Sequence, residues 1–365
     1  MSSRKLSAIV LAAGEGTRMR SARPKPIHLL CGRPMVLHVL DALAELQVDE
    51  VVVVVGHGAE KVTKTMGQAV PSGLDIHYVE QEVQRGTGDA VAVGLTGFTD
   101  LYDGDLDDDY DVVVLPGDAP LLRPATLAQL VRNHRAADAA ATLLTAELDD
   151  PWGYGRIIRD KDGRVANVVE ESDATPTEQA IREVNTSIYC FRRSVLAPAL
   201  RRLSPDNAKG EYYLTDVISV LHDAGYMVIT MLAADPTEAV GVNDRAQLAG
   251  VEAELRCRTN EKWMRKGITM VDPEQTYIDA SVVLAQDVTL FPGTILQGST
   301  TVEAGAQIGP NCQLIDTKVG ALVKISYTVA TLAEIGDGCE VGPFASLGSG
   351  SILEPNTRTG PFYSS

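Results

Sequence analysis

The sequence predicts an α/β domain built on a mostly parallel sheet, followed by a short left-handed parallel β-helix. The chain has 365 residues, more than one hydrophobic core usually accommodates, which favours two domains. From residue 6 to about residue 250, short apolar runs alternate with amphipathic stretches, as in α/β proteins. Beyond residue 270, apolar residues recur with a period of six, which neither a helix nor an alternating strand produces.

The first domain is expected to place its ligands at one edge of the sheet. Its predicted strands lack internal polar alternation, which is typical of parallel strands covered on both faces. In such a sheet, ligands bind at the carboxyl ends of the strands. A helix-period stretch from Pro34 to Leu46 lies between the first two strands. The predicted strands are Leu6 to Ala13, Val51 to Val55, Ile76 to Val79, Val112 to Leu115, Ala141 to Ala146 and Ile188 to Phe191.

A glycine-rich turn follows the first predicted strand, in the segment VLAAGEGTRMRSARPKPIHLL. Gly14 and Gly16 allow backbone amides to face inward and form a concave site for phosphate oxygens at the start of the next helix. Arg18 and Lys25 add the fixed positive charges that a triphosphate requires. The glycines alone also fit an ordinary strand-to-helix turn, whereas the ordered set of glycines and cations favours a phosphate site.

A candidate metal site follows another predicted strand, in the run VVVLPGD. The Asp118 carboxylate is a hard oxygen ligand suited to Mg²⁺, although alone it equally fits a turn or a helix cap. Asn243, in the segment EAVGVNDR, offers a second oxygen. One carboxylate and one amide suit Mg²⁺, which prefers one or two protein oxygens and takes the rest from phosphates and water.

The second domain is predicted from a stripe of apolar residues. Each hexapeptide forms one flat wall of the β-helix and three walls close one coil, so the stripe fits about four coils. Small or β-branched residues stand four positions after many members of the stripe, at Val282, Val288, Thr294, Thr300, Ala306 and Cys312. The stripe comprises Ile278, Leu284, Leu290, Leu296, Val302, Ile308 and Leu314, slips through Val319 and Ile325, and resumes at Val329, Ile335, Val341, Leu347 and Leu353.

These patterns predict three parts: a first domain at residues 1–245, a helical linker at residues 246–270 within a polar stretch, and the β-helix at residues 271–365. The final segment GPFYSS supplies no polar cap for a solenoid. We therefore expect an incomplete β-helix and a truncated chain.

Charge and composition narrow the function classes. The chain has 49 acidic and 32 basic residues and a net charge of −17, which repels nucleic acid and anionic membranes. A polyanionic substrate must then meet a locally basic pocket or a metal. The sequence shows neither a cleavable leader nor a membrane span, and it predicts a cytoplasmic protein. The cysteines lack metal-site spacing and are expected to be small buried apolar residues in a reducing compartment: Cys31, Cys190, Cys257, Cys312 and Cys339.

Two ordered segments carry a resemblance to a known family. LAAGEGTRM and, four residues later, RPKPIHLLCGRPM resemble the nucleotidyltransferase signature of the N-acetylglucosamine-1-phosphate uridyltransferases, the first domain of the bifunctional GlmU family. The resemblance implies a Rossmann-like nucleotidyltransferase domain that transfers uridylyl from UTP to N-acetylglucosamine 1-phosphate. The products would be UDP-N-acetylglucosamine, a precursor of peptidoglycan and other cell-envelope glycans, and pyrophosphate. It also implies a homotrimer assembled through the β-helix.

The resemblance implies roles for individual residues. Arg18 and Lys25 would be catalytic, and Asp118 of the GD motif and Asn243 of the GVN motif would hold Mg²⁺ together. The loop QRGTGDA would bind uracil and sugar, and the segment NAKGEYYLTDVI, with Glu211, Tyr212 and Tyr213, would close the sugar pocket. The residues assigned to substrate binding are Leu11, Ala12, Ala13, Gly14, Gln81, Gly86, Thr87, Gly117, Gly155, Glu170, Asn185 and Asn243.

Several positions depart from the family pattern. Pro116 precedes the metal-site Gly-Asp and removes a backbone donor near the sugar, which could alter sugar affinity. Arg85 and Asp89 stand where the family has an apolar residue and a His, and we expect Arg85 to point into water. Ser346 and Gly348 replace family arginines, and no His lies beyond residue 222. We therefore expect no His-dependent acetyl transfer by this polypeptide, although the complete family performs it.

Three other interpretations are considered. A dinucleotide-dependent oxidoreductase would need glycine where Met19 stands and an acid after the second strand, where Gly56 and His57 stand. A non-catalytic trimeric scaffold conflicts with the intact set Arg18, Lys25, Asp118 and Asn243. A sugar-phosphate nucleotidyltransferase of other base or sugar specificity stays open, because the identity of both substrates comes only from the resemblance.

Overall fold

The structure is a computed structural model that describes residues 4–67, 69–99 and 110–365. The chain divides into two compact units, the first comprising Met1–His28 and Pro34–Gln247 and the second Leu29–Arg33 and Leu248–Ser365. The three-part division predicted from the sequence stays a proposal.

The elements of the first part of the chain alternate between strands and helices over much of their length, as predicted, with a run of three strands from β7 to β9. In chain order they are β1 (Leu6–Ala12), β2 (Leu29–Leu30), β3 (Arg33–Pro34), α1 (Met35–Ala44), β4 (Glu50–Val55), α2 (Ala59–Gly67), β5 (Ile76–Glu80), α3 (Thr87–Leu95), β6 (Asp111–Pro116), α4 (Pro124–Ala136), β7 (Ala141–Glu147), β8 (Gly155–Arg159), β9 (Val165–Val169), α5 (Pro176–Gln179), β10 (Glu183–Arg192), α6 (Arg193–Leu200), α7 (Asp216–Asp223), β11 (Val228–Leu232) and α8 (Arg245–Arg265).

The first unit is built on one large sheet with the strand order β11-β7-β10-β6-β1-β4-β5, to which β8 and β9 attach through β10. Neighbouring strands are parallel except at β10, which runs antiparallel to β6, β7 and β8, and in the β8–β9 hairpin. Every strand of the main order except β10 therefore points the same way, and the prediction of a mostly parallel α/β sheet is confirmed.

Both faces of this sheet are buried, as the unbroken apolar runs predict. In β4, Val51 and Val53 pack into the core on one face, and Val52 and Val54 pack into the core on the other. Because successive side chains of a strand point to opposite faces, a strand covered on both sides needs consecutive apolar residues. Each fully buried valine contributes about 1.5–3 kcal/mol relative to an exposed one.

Beyond residue 247, the second unit contains most of α8 and fifteen short strands. Helix α8 covers most of the segment predicted to be a helical linker, residues 246–270. The strands are β12 (Thr269–Met270), β13 (Thr276–Ile278), β14 (Val283–Leu284), β15 (Thr289–Leu290), β16 (Thr294–Gln297), β17 (Thr301–Val302), β18 (Gln307–Ile308), β19 (Gln313–Ile315), β20 (Lys318–Val319), β21 (Lys324–Ile325), β22 (Val329–Thr331), β23 (Glu334–Ile335), β24 (Glu340–Val341), β25 (Ser346–Leu347) and β26 (Ile352–Leu353).

These strands form three parallel walls, β12-β15-β18-β21-β24, β13-β16-β19-β22-β25 and β14-β17-β20-β23-β26. Successive strands of the chain fall on successive walls, which is the arrangement of the predicted hexapeptide β-helix. Each wall has five strands, so the solenoid has more coils than the four or so expected from the stripe.

The predicted stripe points into the β-helix with one exception. From Ile278 to Leu314 every stripe residue is buried, as are the small residues between them. At Val329 the prediction is wrong, because Val329 is 48% exposed and Ala330 is fully buried in its place. The corners shorten by a residue or two here, so that Gln313 pairs with Val329 after 16 residues instead of the 18 that separate Ile295 from Gln313. The strands of each wall therefore stay paired, but the buried residue no longer falls on the six-residue repeat of the sequence.

The cysteines and the helices bear on two further expectations. Four cysteines are buried, but Cys257 is exposed on α8, so the expectation of five buried thiols is wrong at that position. None of the helices within the described ranges combines the length and the apolar character needed to cross a bilayer.

Candidate active site

A cleft of about 700 Å³ opens at the carboxyl ends of β1, β5 and β6 in the first unit. The predicted parallel sheet explains its position, because these strand ends lie side by side and their loops converge. The cleft is lined by all the residues predicted to be catalytic, metal-binding or substrate-binding: Leu11, Ala12, Ala13, Gly14, Arg18, Lys25, Gln81, Gly86, Thr87, Gly117, Asp118, Gly155, Glu170, Asn185 and Asn243. Their roles stay predictions.

The glycine-rich turn brings Lys25 against the loop. Gly16 has a φ of 63°, and a Cβ at this position would lie 2.7 Å from Cβ of Lys25. A side chain at Gly16 would therefore displace Lys25 as well as strain the backbone. The loop leads into a three-residue 3₁₀ turn, Thr17–Met19, instead of the predicted helix. Arg20, with a φ of 47°, ends this turn after two backbone hydrogen bonds, so no α-helix forms at this point.

Four polar side chains meet at the predicted metal position. The Lys25 ammonium forms an ion pair with the Asp118 carboxylate and also donates a hydrogen bond of 3.1 Å to Oδ1 of Asn243. Nη2 of Arg18 donates to the same Asn243 oxygen at 2.9 Å. The Lys25 and Asp118 side chains are only 15% and 22% exposed, so their charges are poorly screened by water. The cluster holds two cations and one anion, which leaves a positive charge for a phosphate.

The same geometry tests whether a metal ion fits. The Asp118 and Asn243 oxygens both contact one ammonium group, so they already converge on a single cation. In the described part of the chain, no group of three or more His, Cys, Asp or Glu side chains is placed to hold a metal. A hard divalent cation that takes few protein ligands fits this oxygen pair, since the substrate phosphates and water can complete its shell.

Gln81 lies directly after β5 and lines the same cleft. Its backbone amide donates to the Val55 carbonyl at 2.8 Å, which continues the parallel ladder and holds the residue in place. Its side chain is buried, and Nε2 donates to Oδ2 of Asp89 at 2.7 Å and to the Gly86 carbonyl at 3.2 Å. The Arg85 guanidinium, 61% exposed, pairs with Oδ1 of Asp89 at 2.8 Å. The Arg85 side chain is thus solvent-exposed, as expected, while its guanidinium forms an ion pair with Asp89.

The loop from Gly86 is held by the segment that follows Gly210. The Tyr212 amide donates to the Arg85 carbonyl at 2.7 Å, and the Gly88 amide donates to the Tyr212 carbonyl at 2.8 Å. A Cβ on Gly86, whose φ is 110°, would lie 2.6 Å from that Tyr212 carbonyl oxygen. Thr87, predicted to bind substrate, uses its hydroxyl oxygen to accept from the Leu214 amide at 3.0 Å. These contacts pack the segment predicted to close the pocket against the start of α3.

The predicted sugar residues come from strands that pair with each other. Gly155 of β8 is opposite Asn185 of β10, and the buried Asn185 donates through Nδ2 to the Tyr189 hydroxyl at 2.7 Å. Glu170 follows β9, and its Oε1 accepts a hydrogen bond of 3.0 Å from Thr215. Burial raises the pKa of the Glu170 carboxyl, and the Thr215 hydrogen bond opposes that rise only in part.

Some lining residues were not assigned from the sequence. Tyr154 precedes Gly155, and burial together with the nearby Asp118 charge raises the pKa of its phenol. Gln84 donates through Nε2 to the Ala13 carbonyl at 3.4 Å, and Ser187 lies in a β-bulge with a φ of 62°. Gln84 lies within the motif QRGTGDA and Tyr154 directly precedes the assigned Gly155, so both could have been named from the sequence. The bulge at Ser187 has no signal in the residue pattern.

Comparison with known proteins is consistent with this geometry. Residues 7–263 match the family model described as nucleotidyl transferase. The chain is 44% identical to the bifunctional protein GlmU of Brevibacillus brevis over 358 residues, which are 98% of this chain and 75% of that protein. It is also 44% identical to the bifunctional protein GlmU of Desulfitobacterium hafniense, over 98% of this chain and 75% of that protein. For the protein of the same name from Streptomyces avermitilis, the identity is 44% over 98% of this chain and 73% of that protein.

Proposed function

Because the chain belongs to the nucleotidyltransferase family of the bifunctional GlmU proteins, we propose that it transfers a uridylyl group from UTP to N-acetylglucosamine 1-phosphate. The observation that carries the proposal is the cluster of Arg18, Lys25, Asp118 and Asn243 at the end of the phosphate-binding loop. The family match does not favour the oxidoreductase or the scaffold interpretation.

The reaction needs little covalent chemistry from the protein. A phosphate oxygen of the sugar phosphate forms a bond to the α-phosphorus of UTP, and the bond from that phosphorus to the oxygen bridging to the β-phosphorus breaks. Pyrophosphate leaves with the bonding electrons, and the products are UDP-N-acetylglucosamine and pyrophosphate. Catalysis of such a step depends on positioning and on stabilising the negative charge of the leaving group.

Lys25 and Arg18 supply this stabilisation. Lys25 is held by two oxygens on other elements, so its ammonium is positioned before substrate binds. Arg18 is exposed at the rim of the cleft, where it can reach a phosphate of the incoming triphosphate. Preorganised cations of this kind lower the barrier because they do not have to reorient as charge develops.

Asp118 and Asn243 are proposed to hold Mg²⁺, the divalent cation for which one carboxylate and one amide oxygen are suited. When bound, the ion neutralises phosphate charge and polarises the reacting phosphorus. The Val242 amide donates to the Asp118 carbonyl at 2.9 Å, which ties the two metal-binding segments together. The Asn243 amide in turn donates to Oε1 of Gln247 at 2.7 Å and orients the residue.

Gln81, Gly86 and Thr87 are proposed to bind the uracil, and Gly155, Glu170 and Asn185 are proposed to bind the sugar. Both sets line the same cleft as the charged cluster. A volume of about 700 Å³ is of the size found for small-molecule sites.

The test is a panel of four nucleoside triphosphates against three sugar phosphates, with pyrophosphate release as the readout. UTP with N-acetylglucosamine 1-phosphate should exceed every other pair in kcat/KM. Turnover with another pair, and none with this one, would reassign the substrates within the same chemistry. Turnover with no pair would reject the enzyme and favour a scaffold.

We also propose that the β-helix forms a homotrimer through one wall. The outward residues of the wall β13-β16-β19-β22-β25 carry no charge: Tyr277, Ile295, Gln313, Val329 and Ser346. The other two walls present charged residues, including the pair Lys318–Glu334 at 2.7 Å. An uncharged, partly apolar face is the one that costs least to remove from water.

A further inference from the structure

Of the two residues that depart from the family motif, Asp89 contacts Gln81, the residue proposed to read the base, and Arg85 contacts Asp89. Asp89 accepts from Gln81 through Oδ2 at 2.7 Å and from Arg85 through Oδ1 at 2.8 Å. Each carboxylate oxygen therefore has its own donor. The Asp89 side chain is 12% exposed and lies in the first turn of α3, where the helix N-terminus favours a negative charge.

These contacts determine which end of the Gln81 amide faces the cleft. The amide nitrogen has two acceptors, the Asp89 carboxylate and the Gly86 carbonyl. An ionised carboxylate and a carbonyl can only accept, so the inverted amide would place its oxygen against two other oxygens. Both Nε2 hydrogens are used, and no hydrogen bond from the described residues reaches Oε1. Gln81 lines the cleft and thus presents an acceptor to a ligand.

We propose that Asp89, held by Arg85, is a specificity-determining positioning residue that fixes the Gln81 amide so that the cleft accepts a base with an imino N–H. This proposal rests on the proposed function. Uracil carries a hydrogen on N3 and can donate to Oε1 of Gln81. Cytosine has a lone pair on N3, and its ring nitrogen would meet the amide oxygen with no proton between them. A site that pairs with a donor rejects the analogue that lacks it, because the buried acceptor is left unpaired.

The test is the ratio of kcat/KM for UTP to that for CTP, with N-acetylglucosamine 1-phosphate as the second substrate and the full chain as the enzyme. In Asp89→Asn, the Arg85 donor should hold the amide oxygen of the new side chain and turn its nitrogen toward Gln81. The inverted Gln81 amide can then accept a hydrogen bond from that nitrogen. The ratio should fall about tenfold, which corresponds to the free energy of one hydrogen bond. The ratio of the UTP affinity to the CTP affinity, measured by calorimetry without the sugar phosphate, should fall as well.

The double variant Asp89→Asn with Arg85→Leu provides a rescue. Without the Arg85 donor, the new amide can turn its oxygen toward Gln81, and the ratio should recover toward that of the unmodified protein. Glu261→Gln, which removes an exposed i,i+4 pair with Arg265 outside the cleft-lining set, is the matched control and should leave the ratio unchanged.

The possible outcomes separate the two proposals. If Asp89→Asn lowers kcat/KM equally for both nucleotides, Asp89 is only structural and the inference is wrong. If the ratio falls but the double variant does not recover it, Arg85 does not orient residue 89 and that part of the inference is overturned. If the unmodified protein turns over UTP and CTP equally, the cleft does not discriminate between the two bases, and the inference that Asp89 determines specificity is wrong. If it turns over no nucleotide, the proposed function itself fails.

Discussion

Arg18 and Asn243 are 225 residues apart in the sequence, and Nη2 of Arg18 donates a hydrogen bond of 2.9 Å to Oδ1 of Asn243. Lys25 donates to the same oxygen. The segments proposed to bind phosphate and metal are thus joined through one amide oxygen. A change at any member of this cluster should therefore affect both functions, which makes the cluster the best place to test the proposed chemistry.

Asp118→Ala should lower the rate of pyrophosphate release about a thousandfold in millimolar Mg²⁺, because it removes the one carboxylate of the proposed metal site. Asp118→Asn keeps the shape and one oxygen, and it should need a higher Mg²⁺ concentration for half-maximal rate. Asp223→Ala, at an exposed position in α7, is the control. A near-normal rate for Asp118→Ala with retained fold would reject the metal assignment.

Lys25→Ala should lower kcat about a hundredfold and raise KM for UTP much less, since its charge is proposed to act on the departing pyrophosphate. Steady-state kinetics with UTP as the varied substrate separates the two parameters. The exposed Lys61 of α2 offers the control Lys61→Ala. A change confined to KM would make Lys25 a ground-state binding residue.

Glu170→Gln should stabilise the protein more at pH 8 than at pH 5. Burial raises the folded-state pKa of Glu170 above the unfolded value, so the folded protein keeps a proton that the unfolded chain has lost. Stability is therefore lost as the pH rises from the ordinary Glu value through the raised one, and glutamine removes this loss. Thermal unfolding at both pH values measures it.

Glu261→Gln should instead show little difference between pH 5 and pH 8, because the hydrogen bond and charge of Arg265 lower the pKa of Glu261 and the resulting stabilisation is lost only at pH values below the ordinary Glu value. A gain for Glu170→Gln that does not depend on pH would show that ionisation of Glu170 is not the cause.

Gly86→Ala should lower kcat/KM for UTP about tenfold or more, because its Cβ would press on the Tyr212 carbonyl and displace the loop that closes on α3. Gly210→Ala is a matched control, since Gly210 also has a positive φ, of 67°, but a Cβ there would meet nothing within 4 Å. Gly86, with a φ of 110° and a ψ of 177°, lies in a region that essentially only Gly occupies, so Gly86→Ala adds backbone strain to the steric contact. Gly210→Ala reports the effect of a side chain at a positive φ without that contact. Equal kinetic effects would argue against a role for the close approach.

The trimer should be visible as a threefold mass by light scattering, and Val329→Glu should dissociate it by placing a charge on the uncharged wall. Val329 is 48% exposed in the single chain, so the substitution should leave the coil itself folded. Ile352→Glu, on a charged wall and 66% exposed, is the control and should stay trimeric. A strictly monomeric protein at high concentration would contradict the trimer, and dissociation by Ile352→Glu alone would move the interface to another wall.

The regular parts of this fold could be predicted because their signals are local and repeated. The consecutive valines of β4 predict a strand buried on both faces, and the period of six predicts the walls of the β-helix. Both patterns follow directly from the geometry of strands and coils, which sets how often a side chain returns to the core. Where a corner shortens, at Val329 and Ala330, the repeat no longer says which residue points inward.

The sequence by itself determined the two kinds of architecture, many of the residues that line the cleft, and the motifs that place the chain in its family. Only the tertiary structure decided how those residues meet: that Lys25 joins Asp118 to Asn243, and that Asp89 sets the orientation of the Gln81 amide. The physical reason is distance along the chain. A strand or a coil is specified by neighbours a few residues away, whereas the direction of a side-chain hydrogen bond depends on partners that only packing brings within 3 Å or so.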